Sequence, residues 1–298
     1  MPTLPRLVVD DWEASKDTLH LFMQIIGKIR LTLFPKQNHW WHVPLYVSCH
    51  GLTTRAIPCQ DKYFEITFDF IHHQLVISCS TGATRSFSLE GQSVASFYKN
   101  VFSNLQELGI DVAIKAEPYD VPFSTIPFAE DTQHASYDPE SISQYWQILM
   151  FVNRVFEQYH GEFTGKSTPV HLFWHHADLA LTRFSGKHAP PLQGGTNADK
   201  EAYSHEVISF GFWMGDAMVR EPAFYAYVYP EPEQLANTPL EIEGASWNTE
   251  FGYAMLFYPF EPVRSAAKPA DTLLTYLHHA YEILATARGW DIESFQRA

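Results

Sequence analysis

Apolar positions along this chain change their spacing several times, and each change marks an element. After Asp11, residues Leu19, Phe22, Met23 and Ile26 recur at helical spacing, and Gly27 reads as the stop. A loop at 35–38 then leads to a strand at 42–48. Phe64, Ile66, Phe68 and Phe70 alternate with Glu65, Thr67 and Asp69, the pattern of a strand with one buried face. Segments 75–78 and 85–89 flank Thr81-Gly82 as a hairpin. Val94, Phe97, Tyr98, Val101, Leu105 and Leu108 predict a helix ending at Gly109, followed by a short strand at 112–115.

Residues 119–138 are rich in proline and polar groups and form a connector between halves 1–118 and 139–298. Pro139 suits the first turn of a helix carrying Tyr145, Ile148, Leu149, Val152, Val155, Phe156 and Tyr159. Strands are predicted at 170–174, 179–184, 207–213, 224–229 and 251–258, with loops at 188–200 and 230–239. A last helix carries Leu273, Leu274, Leu277, Tyr281 and Leu284 and ends near Gly289. Each half thus reads helix, several strands, helix. Either one compact unit over 1–298 or two fused, pseudo-repeated halves satisfies this order. The fold class is α+β, with helices packed on antiparallel sheet.

Charge and composition narrow the function classes. The 298 residues hold 34 acidic and 20 basic side chains, a formal net charge of −14 that opposes phosphate-backbone attraction, so no nucleic-acid partner is expected. No apolar run is long enough for a membrane span, and the start Met1-Pro2-Thr3-Leu4-Pro5-Arg6 lacks a signal-peptide core. Cys49, Cys59 and Cys79 are odd in number and form no CxxC, which fits a reducing cytoplasm.

Several familiar motifs fail on their context. Gly161-Glu162-Phe163-Thr164-Gly165-Lys166-Ser167 is one residue short of a phosphate-binding loop and follows a helix instead of a strand. His205-Glu206-Val207-Ile208-Ser209 has Ser209 where a zinc-peptidase helix needs a second histidine.

Two stretches stand apart from scaffold: Phe173-Trp174-His175-His176-Ala177-Asp178-Leu179-Ala180-Leu181-Thr182-Arg183-Phe184-Ser185-Gly186-Lys187, and Tyr203-Ser204-His205-Glu206-Val207-Ile208-Ser209-Phe210-Gly211-Phe212-Trp213. With His39-Trp40-Trp41 and the segment from Phe224 to Pro232, they resemble a bacterial family of uncharacterised proteins, catalogued only as a domain of unknown function. The resemblance spans nearly the whole chain and implies no activity.

On a strand, Glu206 shares a face with Ile208, Phe210 and Phe212. A carboxylate there needs a cationic partner or a raised pKa, and Arg183 is the expected partner. The pair serves equally as a structural bridge or as an acid/base carboxylate beside an anion-holding arginine. The candidate catalytic set is Glu206, His205, Asp178 and Arg183, acting on a small molecule, an anion being one option. Trp41, Trp174, Tyr203, Trp213 and Tyr225 are candidate ligand-binding residues, and a non-catalytic aromatic pocket or an oligomeric interface are the alternatives. A metal would require His39, His42 or His205 to join His171 and His175, and neither metal nor other cofactor is predicted.

Overall fold

The first apolar stretch folds as one long helix, α1 (Val9–Leu33), in a computed structural model that describes residues 3–295. It does not stop at Gly27. Leu19, Leu21, Phe22, Ile25, Ile26 and Ile29 are all buried, so α1 is covered on more than one face. Gly27 serves packing instead: a Cβ there would overlap the indole ring of Trp174. The helix runs on to Leu33, just before Pro35.

Six short strands follow a 3₁₀ turn at Asn38–Trp40: β1 (Tyr46–Val47), β2 (Gly51–Thr53), β3 (Ile57–Cys59), β4 (Lys62–Asp69), β5 (Gln74–Cys79) and β6 (Thr84–Ser88). They form an antiparallel sheet in the order β1-β2-β4-β5-β6, with β3 also paired to β4. Phe64, Ile66 and Phe68 alternate inward along β4 as their spacing requires. Helix α2 (Val94–Glu107) starts at Ser93, whose hydroxyl accepts the Ser96 N–H at 3.2 Å. Its Phe97 stacks on Phe22 of α1 at 3.9 Å between centroids, which joins helix to helix over the sheet. Residues 112–115 form no strand; the chain from Ile110 to Asp138 is irregular.

The second half also begins with a helix, but it places a further helix among its strands and two after them. Helix α3 (Pro139–Gly161) is capped by Asp138 and leads into β7 (His171–Phe173) and β8 (Asp178–His188). The expected loop at 188–200 contains the start of a short helix, α4 (Asn197–Ala202), begun by a Thr196–Asp199 capping box. Then come β9 (His205–Trp213), β10 (Ala223–Tyr229), β11 (Ser246–Asn248) and β12 (Met255–Pro259), followed by α5 (Phe260–Ser265) and α6 (Pro269–Arg288). Gly289, at φ +64°, ends α6 in the left-handed region.

The second sheet is antiparallel throughout, in the order β11-β12-β10-β9-β8-β7. The fold is therefore α+β, with helices on two antiparallel sheets. The sheets meet where Leu45 and Leu172 exchange backbone hydrogen bonds of 2.9 and 2.8 Å. One hydrophobic core runs through both halves. Across the second sheet, α3 and α6 contribute Tyr159, edge-on to Phe210, and Tyr276, stacked on Tyr258. Among the described residues, no helix is long and apolar enough to cross a membrane.

Candidate functional site

Strand register divides the sequence-predicted residues between the two faces of the second sheet. Leu181 pairs with Phe210 and Arg183 with Ile208, so Arg183 and Glu206 lie on the inner face that carries these apolar side chains. Ala180 pairs with Gly211 and Gly211 with Tyr225, while Thr182 pairs with Ser209 and Ser209 with Tyr227. Asp178, His205, Trp213, Tyr225 and Tyr227 follow that alternation onto the outer face. The four candidate catalytic residues therefore do not converge.

On the inner face, the expected Arg183–Glu206 pair is not formed. Glu206 is ion-paired with Arg288, at the end of α6, and accepts a hydrogen bond from Ser185 Oγ at 2.9 Å. Arg183 donates from Nη2 to the Tyr159 carbonyl at 2.8 Å. Its guanidinium lies 3.7 Å from the Tyr159 ring centroid, 4.7 Å from Tyr281 and 4.8 Å from Phe163. An aromatic cage replaces the carboxylate partner, and burial lowers the arginine's pKa. Its Nε is buried without a partner, but the guanidinium is sealed from solvent by these rings. Trp174 is also structural: it is buried against Gly27, and its indole N–H donates to the Val43 carbonyl at 3.0 Å.

The outer face is different. Asp178 is 8% exposed, its Oδ2 accepts a hydrogen bond from the Tyr225 hydroxyl, and its Oδ1 is buried without a partner. Among the described residues no cation forms an ion pair with it, and burial pushes its pKa up. Gly211 makes the Tyr225 contact possible, because a Cβ there would overlap the Tyr225 ring. Tyr225 in turn stacks on Tyr227 at 6.1 Å. The Tyr227 hydroxyl lies 2.9 Å from that of Tyr203, and Thr182 Oγ1 lies 2.9 Å from Ser209 Oγ. Tyr253 at 5.5 Å from Tyr227, and Trp213 at 6.4 Å from Tyr225, extend this aromatic surface. Tyr253 is 38% exposed, so one margin of the surface meets solvent.

His205 stands at the far end of β9 from Trp213. Its Nδ1 lies 3.1 Å from Ser204 Oγ, and His39, Lys166 and Trp41 cluster at this same end. His171 is fully buried with both ring nitrogens unpartnered. Among the described residues, no three His, Cys, Asp or Glu side chains are arranged to hold a metal. Two surface depressions lie elsewhere. One, of about 80 Å³, is lined by Arg6, Glu221 and Phe260. The other, a shallow groove of about 710 Å³, follows α2 past Tyr98 and Phe102.

Sequence reasoning missed Arg288 as the partner of Glu206, since nothing in local spacing brings the end of α6 to β9. It also missed Ser209 and Thr182, which share the outer face with Tyr227 as one polar row. Period-2 alternation, together with a lone glycine inside an apolar strand, was the available signal.

No curated protein and no solved structure matches this chain. A family model covers residues 4–297, and the chain belongs to that family, the family of unknown function DUF5996.

Proposed function

We propose that the outer face of the second sheet binds a small molecule with an aromatic or apolar body and a protonated amine or other strong donor. The single observation that carries this is Asp178 Oδ1, a buried carboxylate oxygen with no hydrogen-bond partner. Leaving such an atom unpaired costs about 1–3 kcal/mol or more, and an ammonium group supplies both charge and donor. The rings of Tyr225, Tyr227 and Trp213 provide the apolar wall that pockets use for the rest of a ligand, and tyrosine and tryptophan faces favour cations. Arg183, enclosed by rings, and Glu206, satisfied by Arg288 and Ser185, take no part.

Benzylamine, benzyl alcohol and benzoate test the binding reading as three probes of equal size and different charge. Ligand-observed NMR should show saturable binding of benzylamine, weaker binding of benzyl alcohol and none of benzoate. Asp178→Asn should weaken benzylamine at least tenfold. Equal binding of all three probes, or binding indifferent to Asp178→Asn, would defeat the proposal.

A further inference from the structure

At the opposite end of β9, a second group of side chains carries positive charge without a partner. Lys166 lies in the segment between α3 and β7, and its Nζ is 2.9 Å from His39 Nε2. It makes no ion pair among the described residues. Of the neighbouring carboxylates, Glu201 is already held by Lys36 at 2.8 Å. The ammonium instead sits over aromatic rings, 4.8 Å from the Phe184 centroid and 5.4 Å from Trp41.

Hydrogen bonding fixes the histidine tautomers. A carbonyl oxygen only accepts, so His39 Nδ1, 3.2 Å from the Glu201 carbonyl, carries the proton, and its Nε2 accepts from Lys166. Ser204 donates to that same carbonyl at 2.7 Å, so its oxygen accepts from His205 Nδ1 at 3.1 Å. The neutral His205 ring is then left with a bare Nε2. The His205 ring is 5.3 Å from His39 and 4.3 Å from His188.

Holding His39 in place requires unusual backbone. His39 and Trp40 are consecutive non-glycine residues in the left-handed region, at φ +53° and +61°, a conformation that L side chains disfavour. His39 is 4% exposed, whereas Lys166 and His188 are exposed and His205 is half-buried, so the cluster opens to solvent.

We propose that Lys166, held in place by His39, and His205, with His188 at the rim, bind a tetrahedral oxyanion of the phosphate class. The free ammonium donors of Lys166 and, at lower pH, a protonated Nε2 of His205 reach a ligand from separate segments, which suits a tetrahedral group with several acceptor oxygens better than a planar carboxylate, while His39, with both ring nitrogens engaged, positions the ammonium. Lysine binds phosphate as a point charge, and an anion here supplies the counter-charge the chain omits. Lys166 belongs to the stretch that resembles a phosphate-binding loop in sequence, yet it acts here without the strand–loop–helix frame of that loop. The site is separate from Asp178 and does not rest on the ligand proposed there.

Protonating the bare Nε2 of His205 adds a donor. Burial holds the His39 and His205 pKa values below the ordinary 6.5, with Lys166 opposing a second positive charge at both. Lys36, Glu201 and His42 are the other titratable groups around this end, Glu201 being neutralised by Lys36. An anion whose own charge is fixed should therefore bind more tightly as pH falls from 8 to 6.

Histidine-detected ¹H–¹⁵N NMR on the full chain provides the test, with sulfate for the pH series, since its charge is constant, and acetate as the planar comparison. Inorganic phosphate and phenyl phosphate distinguish a free anion from a phosphorylated molecule. The His39 and His205 resonances should shift saturably with phosphate and sulfate while buried His171 stays still, and acetate should bind at least tenfold more weakly. Lys166→Met should weaken phosphate at least tenfold, Lys166→Arg should retain most of the binding, and Asp178→Asn should leave it unchanged. Tighter binding of phenyl phosphate points to a phosphorylated molecule, and equal binding to the free anion; both support the site. Absence of saturable shifts with all the tetrahedral anions, or identical binding by Lys166→Met, overturns it.

Discussion

Replacing Gly27 by alanine opposes two effects of known sign. In an exposed helix the change stabilises by about 1 kcal/mol, because alanine is the better helix former. In α1, however, the new Cβ would overlap the Trp174 ring, which is itself buried and tied to Val43 through its indole N–H. Moving that ring costs about 1–3 kcal/mol in forced repacking. Breaking the bond at 3.0 Å leaves a buried donor and acceptor unpaired, for about 1–3 kcal/mol more. The packing side wins, with a net destabilisation of about 1–5 kcal/mol. In a chain of this length that lowers Tm by several degrees. Urea titration followed by circular dichroism, with a thermal scan beside it, measures the difference. The same substitution made in a Trp174→Leu background should recover most of the loss, since the overlapping ring is then gone. A Gly27→Ala protein more stable than the parent would refute the packing account and return Gly27 to the role of a poor helix residue.

Acid should destabilise the fold through its buried imidazoles. Burial lowers the pKa of His20 to about 4 and of His171 to about 3, whereas both return to about 6.5 on unfolding. The unfolded chain therefore binds protons that the folded chain refuses. Stability is full above about pH 6.5 and falls as pH drops toward 4 and 3, by about 2 kcal/mol per ring at pH 5. The urea midpoint should fall from pH 7.5 to pH 5, and by less in His171→Phe; a midpoint that rises on acidification contradicts this. Glu206→Gln should cost about 2 kcal/mol, between the value of an exposed ion pair and that of a fully buried one. A double-mutant cycle with Arg288→Met should show coupling, whereas a cycle of Glu206→Gln with an Arg183 variant should show much less. Gly211→Ala should displace Tyr225 from above Asp178, lowering Tm and abolishing benzylamine binding together; unchanged binding would separate Tyr225 from the site.

Much of the fold was legible because its signals are local. Period-2 alternation located β4 and β10, helical spacing located α2, α3 and α6, and Asp138-Pro139 and Gly289 marked real helix ends. Gly27 misled because α1 is buried on more than one face, so a glycine admitting a tryptophan from the second half looks locally like a terminus. The three-residue strands β2, β3 and β11 are too short to show a period. In the candidate site, face membership followed from alternation, which placed Glu206 correctly among Ile208, Phe210 and Phe212. Its partner did not follow, because Arg288 lies 82 residues away along the chain. Asp178 and Tyr225 were each singled out from sequence, yet their hydrogen bond depends on strands two apart in the sheet and on the missing Cβ of Gly211 between them.

The reciprocal bond between Leu45 and Leu172 has a consequence for assembly. At that point the border of each sheet is closed by the other, so the two halves act as each other's edge guard. A chain divided within residues 119–138 would give fragments that each expose an unpaired strand border beside a stripped apolar core. Such fragments are suited to recombine with one another, and equally to exchange halves between two copies of the chain at high concentration.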